Sequence, residues 1–523
     1  MINRNNRRVV IIGAGLGGLS AGIYLLDNGY DVDIYEKNPV PGGECTGWYR
    51  KGTYIDGCAH WIVGTNPSSE LFPLWEHIGA FGRATAIYST EYITKFQLRD
   101  GRFFTFYAEL KKLKKEMLDF FPEDKRMINK FIRSIKAYMH VHIPTKKPLD
   151  MLNFFELTAY GIRMLPMAFP YLKYKHISIE DYGHKFKNPE LGEIIARFIS
   201  DEHNIHSFIY VCQAVAQNDA GMVQGGSLNM MKRVAAHFQE KGGHLHLASP
   251  VEKVLVQDNK AQGLLLESGI KVEADYVVAA TDVRFMLDKL LEGKYPDPDF
   301  SRQFSNPKDN PLESSVMVAL RTTHNMDSLP KMYDFLTDDL EIFGEKKTHL
   351  AIRNFAFDKT LTTPKGTTLL TVLIPCRAYD YLASLDEKTY KEKKAEAGEK
   401  VKDEIVRRTG IPASELEVLD VTTPLTYSHY CNAYKGAYMA FGITARTKGL
   451  MRPGLVPGLK NFAFASQWIM PPGGLPVALL SGKHAAMRIC AMDNRKFNCL
   501  EYKRIRKRKK RNFDLPNYLY YSK

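Results

Sequence analysis

The chain has 523 residues, enough for roughly two to four domains around a large core. With 45% hydrophobic and 25% charged residues it reads as a globular chain, and no apolar run reaches the ~20 residues of a spanning helix. Its 72 Lys and Arg exceed its 58 Asp and Glu for a net charge of +14, and its seven scattered cysteines form no C-x-x-C, which argues against a structural zinc and for a reducing, cytoplasmic compartment.

Met1 to Arg8 is polar and does not read as a secretory leader. Val9 to Ile12 is a short, β-branched, fully apolar run, the pattern of a buried parallel strand. Gly13-Ala14-Gly15-Leu16-Gly17-Gly18 follows, a G-x-G-x-x-G that opens a helix predicted over residues 19–28. In such a turn Gly13 permits the tight bend, Gly15 lets backbone approach a diphosphate, and Gly18 lets helix and strand pack closely. The helix start supplies unpaired amides and a positive dipole end to the phosphates. Asp31 to Tyr35 alternates as a second strand. Glu36 then stands ~20 residues past the glycines, where a carboxylate holds a ribose 2′-hydroxyl and repels a 2′-phosphate. A lone glycine triplet is weak evidence, but here strand, helix, second strand and acid all accompany it.

Gly42 and Gly43 form a second pair suited to close backbone approach. Residues 93–107 form a hairpin turning at Asp100-Gly101. Residues 109–138 read as one amphipathic helix, with Leu110, Leu113, Met117, Phe120 and Phe121 opposite a lysine face. Residues 149–174 are dense in Leu, Met, Phe and Tyr, and Pro166 and Pro170 are expected to break any helix there. This stretch either lies in a membrane interface or lines a buried apolar cavity, and both readings imply a greasy ligand.

A helix over residues 226–241 leads into strands 244–247, 251–257, 261–267 and 271–273, and then the buried strand 276–280. Residues 300–435 hold several strands and a charged helix, 385–408, and read as a mixed-sheet domain inserted in the first. A last strand, 461–466, runs into Gln467, a Pro-Gly-rich loop 471–476 and a helix over 477–492. That order repeats the logic of the opening turn. Residues 501–523 carry nine bases and two acids, half of the net excess. The tail reads either as a solvated end or as a segment drawn to anionic lipid, worth ~1 kcal/mol per base. No nucleic-acid recognition fold accompanies it.

Three blocks, the glycine turn through Gly42-Gly43, residues 225–282 and the loop-helix 471–486, together resemble the phytoene-desaturase-like flavoproteins. That group includes carotenoid desaturases, carotenoid isomerases and retinol saturase. The likeness spans all but the tail. It implies an α/β fold: a Rossmann-type FAD-binding domain (1–108, 221–300 and 436–495), an inserted mixed-sheet substrate domain (301–435), a helical lid or membrane-facing region (109–220) and the basic tail (496–523). It implies that Gly13, Gly15 and Gly18 hold the FAD diphosphate, Glu36 the ribose and Gly42 and Gly43 the ribityl-phosphate chain. Val251 would meet the adenine through its backbone. Ser466, Gln467, Gly473, Gly474 and Pro476 would lie at the isoalloxazine, and residues 424–442 would return the substrate domain to it. The chain departs from the pattern at Glu44, where the family usually has Arg, and at Ser466-Gln467, where it often has a small residue and an acid.

A flavin accepts a hydride at N5, while the protein orients the substrate and excludes water. No nucleophile elbow, H-E-x-x-H or P-loop is present, so no catalytic residue is assigned. His60 and His429 are candidate pocket residues, though a lone His is more often structural. Trp468 and Tyr427 are candidates to face the ring, though such aromatics are as often packing. Without a second G-x-G-x-x-G for NAD(P), electrons leave through oxygen, a quinone or another reductant pair, or the reaction is redox-neutral. The reading is an FAD-dependent oxidoreductase that acts on a long apolar polyene, isoprenoid or acyl chain as desaturase, isomerase or saturase, at or near a membrane. Two alternatives stay open: a flavin amine oxidase, and a non-enzymatic lipid or prenyl carrier of Rab-escort-like architecture.

Overall fold

The computed structural model describes residues 7–58, 61–82, 85–198, 203–327, 329–449 and 451–501, with the backbone of 520–521. His60 and almost all of the basic tail fall outside the described residues.

A five-stranded parallel sheet forms the centre, in the order His244–His246, Asp31–Tyr35, Arg8–Ile12, Tyr276–Ala279, Phe462–Phe464. Its strands are apolar because both faces are covered, one by helices and the other by an antiparallel meander between residues 251 and 273. Val9 to Ile11, Val32, Ile34, Val277 and Val278 have no solvent exposure. Helix Leu16–Asp27 follows the first strand and packs along the closing helix, Leu475–Met492. Small residues let the two helices meet closely. A Cβ on Gly482 would collide with the Gly17 carbonyl oxygen and stand 2.6 Å from the Ala21 amide nitrogen. The antiparallel meander Val251–Gln257, Lys260–Leu266, Lys271–Glu273 flanks this unit.

A seven-stranded mixed sheet forms the second unit, in the order Leu416–Thr422, Ser315–Thr322, Thr368–Pro375, Glu345–Asn354, Met332–Ile342, Tyr92–Gln97, Phe103–Tyr107. The Asp100-Gly101 hairpin thus completes this sheet, pairing parallel to Met332–Ile342. Residues 92–107, which the sequence reading puts in the opening segment 1–108, therefore pair with the second sheet rather than with the parallel one. The charged helix, Glu387–Thr409, backs the sheet through Ala397, Val401 and Ile405.

A helical layer packs against the hairpin edge of this sheet. The helix expected over 109–138 is two, Leu110–Phe120 and Lys125–Tyr138, divided at Pro122–Asp124. Pro122 stops the first, and the Asp124 carboxylate accepts the amides of Lys187 and Asn188, at 2.7 and 2.9 Å, which turns the chain. The next segment departs from expectation the other way. Phe154–Tyr174 is one continuous helix that runs through Pro166 and Pro170. Asn153 and Glu156 form a capping box at its start. Only Tyr174 in it is buried, so water can reach the carbonyls that the two prolines leave unpaired.

This helix is apolar on both sides. Tyr160, Met164 and Met167 are half-buried on the inner side, while Phe154, Phe155, Ile162, Leu165, Phe169 and Leu172 are 61–81% exposed. No helix among the described residues is long and apolar enough to cross a membrane. The segment leading into it is fastened to the closing helix. Lys483 donates to the Thr145 carbonyl at 2.6 Å, and Arg488 pairs with Asp150 at 2.8 Å.

Candidate active site

One cavity of about 1270 Å³ runs from the glycine turn, past the closing loop, to the helical layer. Gly13, Gly15, Glu36, Gly42, Gly43, Glu44, Val251, Ser466, Gln467, Gly473, Gly474 and Pro476 all line it. Gly18 does not. It lies under the turn, where a Cβ would collide with the Gly13 carbonyl and stand 3.1 Å from the Ala280 side chain. Its role is helix–strand packing.

Helix N-termini open on the cavity at two places. Gly15 caps the first helix and Gly474 the last, neither with a side-chain hydrogen bond, so their first-turn amides remain available. Gly42 donates to the Ala14 carbonyl at 2.9 Å, laying the second glycine pair against the first. Gly13 has φ +98°, which excludes most side chains from the bend, and its amide donates to the Tyr35 carbonyl at 2.8 Å. The Glu36 carboxylate accepts the Ala14 amide at 2.8 Å and both the backbone and side-chain nitrogens of Asn38, at 2.9 and 2.8 Å. Ser249 donates to the Glu36 carbonyl at 2.8 Å, and this contact brings Val251 to the same end.

At the other glycine-rich loop, Gln467 is the hub. Its Oε1 accepts the Gly474 amide at 2.9 Å, and its Nε2 donates to Glu44 Oε2 at 2.8 Å and to the Tyr438 carbonyl at 3.2 Å. Burial, reinforced by Asp282, pushes the Glu44 carboxyl up to about 8, against the opposing Gln467 hydrogen bond. Asp282 is also buried, and burial raises it to about 6 although it accepts amides of Arg284, Phe285 and Tyr434.

The far end is apolar and aromatic, with Ile93, Val141, Ile143, Met167, Tyr171 and Phe198 on the wall. His206 lies there too, its ring stacked on Tyr171 at 4.8 Å and its Nδ1 hydrogen-bonded to the Tyr138 hydroxyl. Burial lowers its pKa to about 4, so it is neutral at physiological pH. His203 meets Glu313 at 3.3 Å. Burial acts to raise Glu313, but His203 and Arg377 outweigh it and hold the carboxyl below its usual range.

Of the aromatic and histidine candidates, Trp468 borders the cavity, wedged against Phe304 and Phe441. Tyr427 does not reach it, because its hydroxyl bonds Ser315 at 3.0 Å. His429 also lies off it, with its ring against Tyr430 and its carbonyl on Lys37. Sequence reasoning passed over Asp282, His203 and His206. For Asp282 a signal existed, since it stands just past the carboxyl end of a parallel strand, where such sheets bind ligands. The two histidines gave none.

Comparison with known proteins agrees with this geometry. Residues 16–490 match the family described as flavin containing amine oxidoreductase. A 4,4′-diapophytoene desaturase of Methylomonas sp is 23% identical over 519 residues, covering 93% of this chain and 95% of its own. A zeta-carotene-forming phytoene desaturase of Myxococcus xanthus is 25% identical over 514 residues, covering 92% and 94%. Among solved structures, cyclohexylamine oxidase from Brevibacterium oxydans IH-35A superposes with a TM-score of 0.59 at 16% identity, covering 94% of this chain and 100% of its own.

Proposed function

The chain belongs to the family of flavin-containing amine oxidoreductases and is an FAD-dependent enzyme, and on that premise we propose that it dehydrogenates a long apolar polyene or isoprenoid chain in its helical-layer chamber. One observation carries the substrate reading. The cavity that starts at the glycine turn continues without a break into an apolar, aromatic chamber roofed by the Phe154–Tyr174 helix. At about 1270 Å³ it exceeds the ~300–1,000 Å³ of an ordinary ligand pocket, leaving room for a cofactor and a chain together. The desaturase activities of the two relatives point the same way.

The residues present fit FAD. The uncapped helix ends and the turn at Gly13, Gly15, Gly42 and Gly43 suit a diphosphate, since backbone amides replace water around its charge. Glu36 suits the adenosine ribose and the Val251 backbone the adenine. Ser466, Gln467, Gly473, Gly474 and Pro476 suit the ring, and Gln467 holds that loop in shape. Gly18 supports the turn from beneath. When bound, FAD supplies a two-electron acceptor for hydride. The chain's own part is to align the apolar substrate along Tyr171, Met167 and Phe198 and to exclude water from the reacting carbons.

The outer face of the same helix supports a membrane-surface reading. A helix apolar all round needs covering on both sides, and here protein covers only one. We place its Phe-rich side in the acyl boundary of a bilayer, with the chamber just behind, so that an oily substrate need not cross water.

The test uses purified protein loaded with FAD and mixed anaerobically with vesicles carrying phytoene or 4,4′-diapophytoene. The flavin should bleach as longer-wavelength polyene bands rise. Loaded flavin that neither bleaches with the polyenes nor yields product would overturn this reading. Peroxide release with simple amines would instead establish amine oxidation.

A further inference from the structure

The exposed apolar side of helix Phe154–Tyr174 ends in charge. Lys173 continues that side, with its Nζ 5.8 Å from the ring centroid of Phe169, one helical turn back. Helix Lys125–Tyr138 brings three more cations, Arg126, Lys130 and Arg133. They fall at i, i+4 and i+7 along one side, opposite the buried Ile128, Phe131, Ile132 and Ile135.

A joint of rings brings these elements to one corner. Tyr174 stands edge-on to Tyr182 at 5.7 Å, and Tyr182 lies 6.3 Å from Phe131. The Tyr174 hydroxyl bonds Ser134 at 3.0 Å. Lys130 precedes Phe131, Lys173 precedes Tyr174, and Lys185 sits over the Tyr182 ring at 5.8 Å. Burial, and then the charges of Lys173, Lys185, Arg126 and Arg133, hold the Lys130 ammonium below its ordinary range. No ion pair among the described residues takes up any of these five cations. Other cations of the same layer are paired, Arg163 with Glu70 at 2.9 Å and Lys147 with Glu156 at 2.7 Å.

An unpaired cationic corner joined to an apolar side fits a bilayer that carries negative headgroups. Lysine stems lie along the acyl boundary and their ammonium groups reach the phosphates. A soluble anion would use the charge and leave the phenylalanines in water. Resting on the membrane-surface reading above, we infer that Arg126, Lys130, Arg133, Lys173 and Lys185 form a docking site for anionic phospholipid headgroups at the C-terminal end of the roof helix. The folded helical layer is thereby selective for anionic lipid in its own right, apart from the basic tail. The site also orients the helix, with Phe169 below the headgroup phosphates and Lys173 among them.

The test is co-sedimentation of the full-length protein with two kinds of vesicle, phosphatidylcholine alone and phosphatidylcholine with roughly one-third phosphatidylglycerol. Two variants are compared with the wild type. One combines Lys130→Gln, Lys173→Gln and Lys185→Gln, and the other combines Lys130→Arg, Lys173→Arg and Lys185→Arg. The tail is present in all three proteins, so its contribution cancels. Each charge near an anionic surface is worth about fivefold in partitioning. The glutamine variant should therefore lose about 100-fold on the anionic vesicles and stay within about threefold of the wild type on the neutral ones. The arginine variant should match the wild type on both. The gap should close in about 1 M salt, where the screening length falls to ~3 Å. A glutamine variant that binds anionic vesicles as the wild type does overturns the inference. Equal losses on both vesicles, or a loss in the arginine variant, would make the lysines packing groups and overturn it too. A wild type that binds neutral vesicles and gains nothing from phosphatidylglycerol overturns this inference alone. A wild type that binds neither vesicle ends the membrane-surface reading, and this inference with it.

Discussion

The exposed side of helix Phe154–Tyr174 offers a quantitative test. Phe154, Phe155 and Phe169 are 77%, 81% and 73% exposed. Full burial of such a side chain is worth ~1.5–3 kcal/mol, so the exposed part of each leaves ~1–2 kcal/mol to be gained by insertion into lipid. Replacing all three with serine should therefore cost ~4 kcal/mol of partition energy, a loss of about 10³-fold in vesicle affinity. Folding should be spared, because the capping box at Asn153 and the inner contacts of Tyr160 and Tyr171 are untouched. Neutral phosphatidylcholine vesicles isolate this effect from any contribution of the basic tail. Co-sedimentation gives the partition coefficient, while the melting temperature and flavin absorbance report integrity. A triple variant that keeps its fold and binds vesicles within about threefold of the wild type would refute the reasoning.

Gly18→Ala should weaken flavin retention even though Gly18 touches no cavity. The added methyl collides with the Gly13 carbonyl, and relief by backbone shift costs ~1–3 kcal/mol and displaces the turn. Thermal melting and flavin content after dialysis measure it, and unchanged values would place the strain elsewhere. For pH, Glu44 has a folded-state pKa of about 8, raised by burial above its unfolded value. The unfolded chain thus gives up this proton first, and the contribution of Glu44 to stability falls as pH rises from about 4.5 to about 8. Flavin-free Glu44→Gln should melt at increasingly higher temperature than the wild type across that window. A difference constant with pH would contradict the burial argument.

The nucleotide-binding half was legible because its signals are local. The run Val9 to Ile12, the glycines and Glu36 each encode their place within one strand–turn–helix unit, and the sheet follows from that unit. The helical layer was legible in composition but not in boundaries. Pro122 ends a helix where Asp124 captures distant amides, whereas Pro166 and Pro170 do not, because no packed core presses on their turns. A proline reads alike in both settings, and only tertiary surroundings separate them. The same limit explains Tyr427. Its residue type suits a ring platform, but Ser315, which holds its hydroxyl, comes from a strand more than a hundred positions away. His203 and Glu313, likewise distant in the chain, become partners only through the fold.

The fastening of Thr145 and Asp150 to the closing helix ties two ends of the molecule into one lever. Lys483 and Arg488 ride on the helix whose opposite tip, at Gly474, borders the cavity. On the membrane-surface proposal, a tilt of the greasy roof would be passed through these two contacts to the helix whose other tip borders the cavity. Docking of the roof and the posture of the Gly474 loop would then be joined through one stretch of backbone.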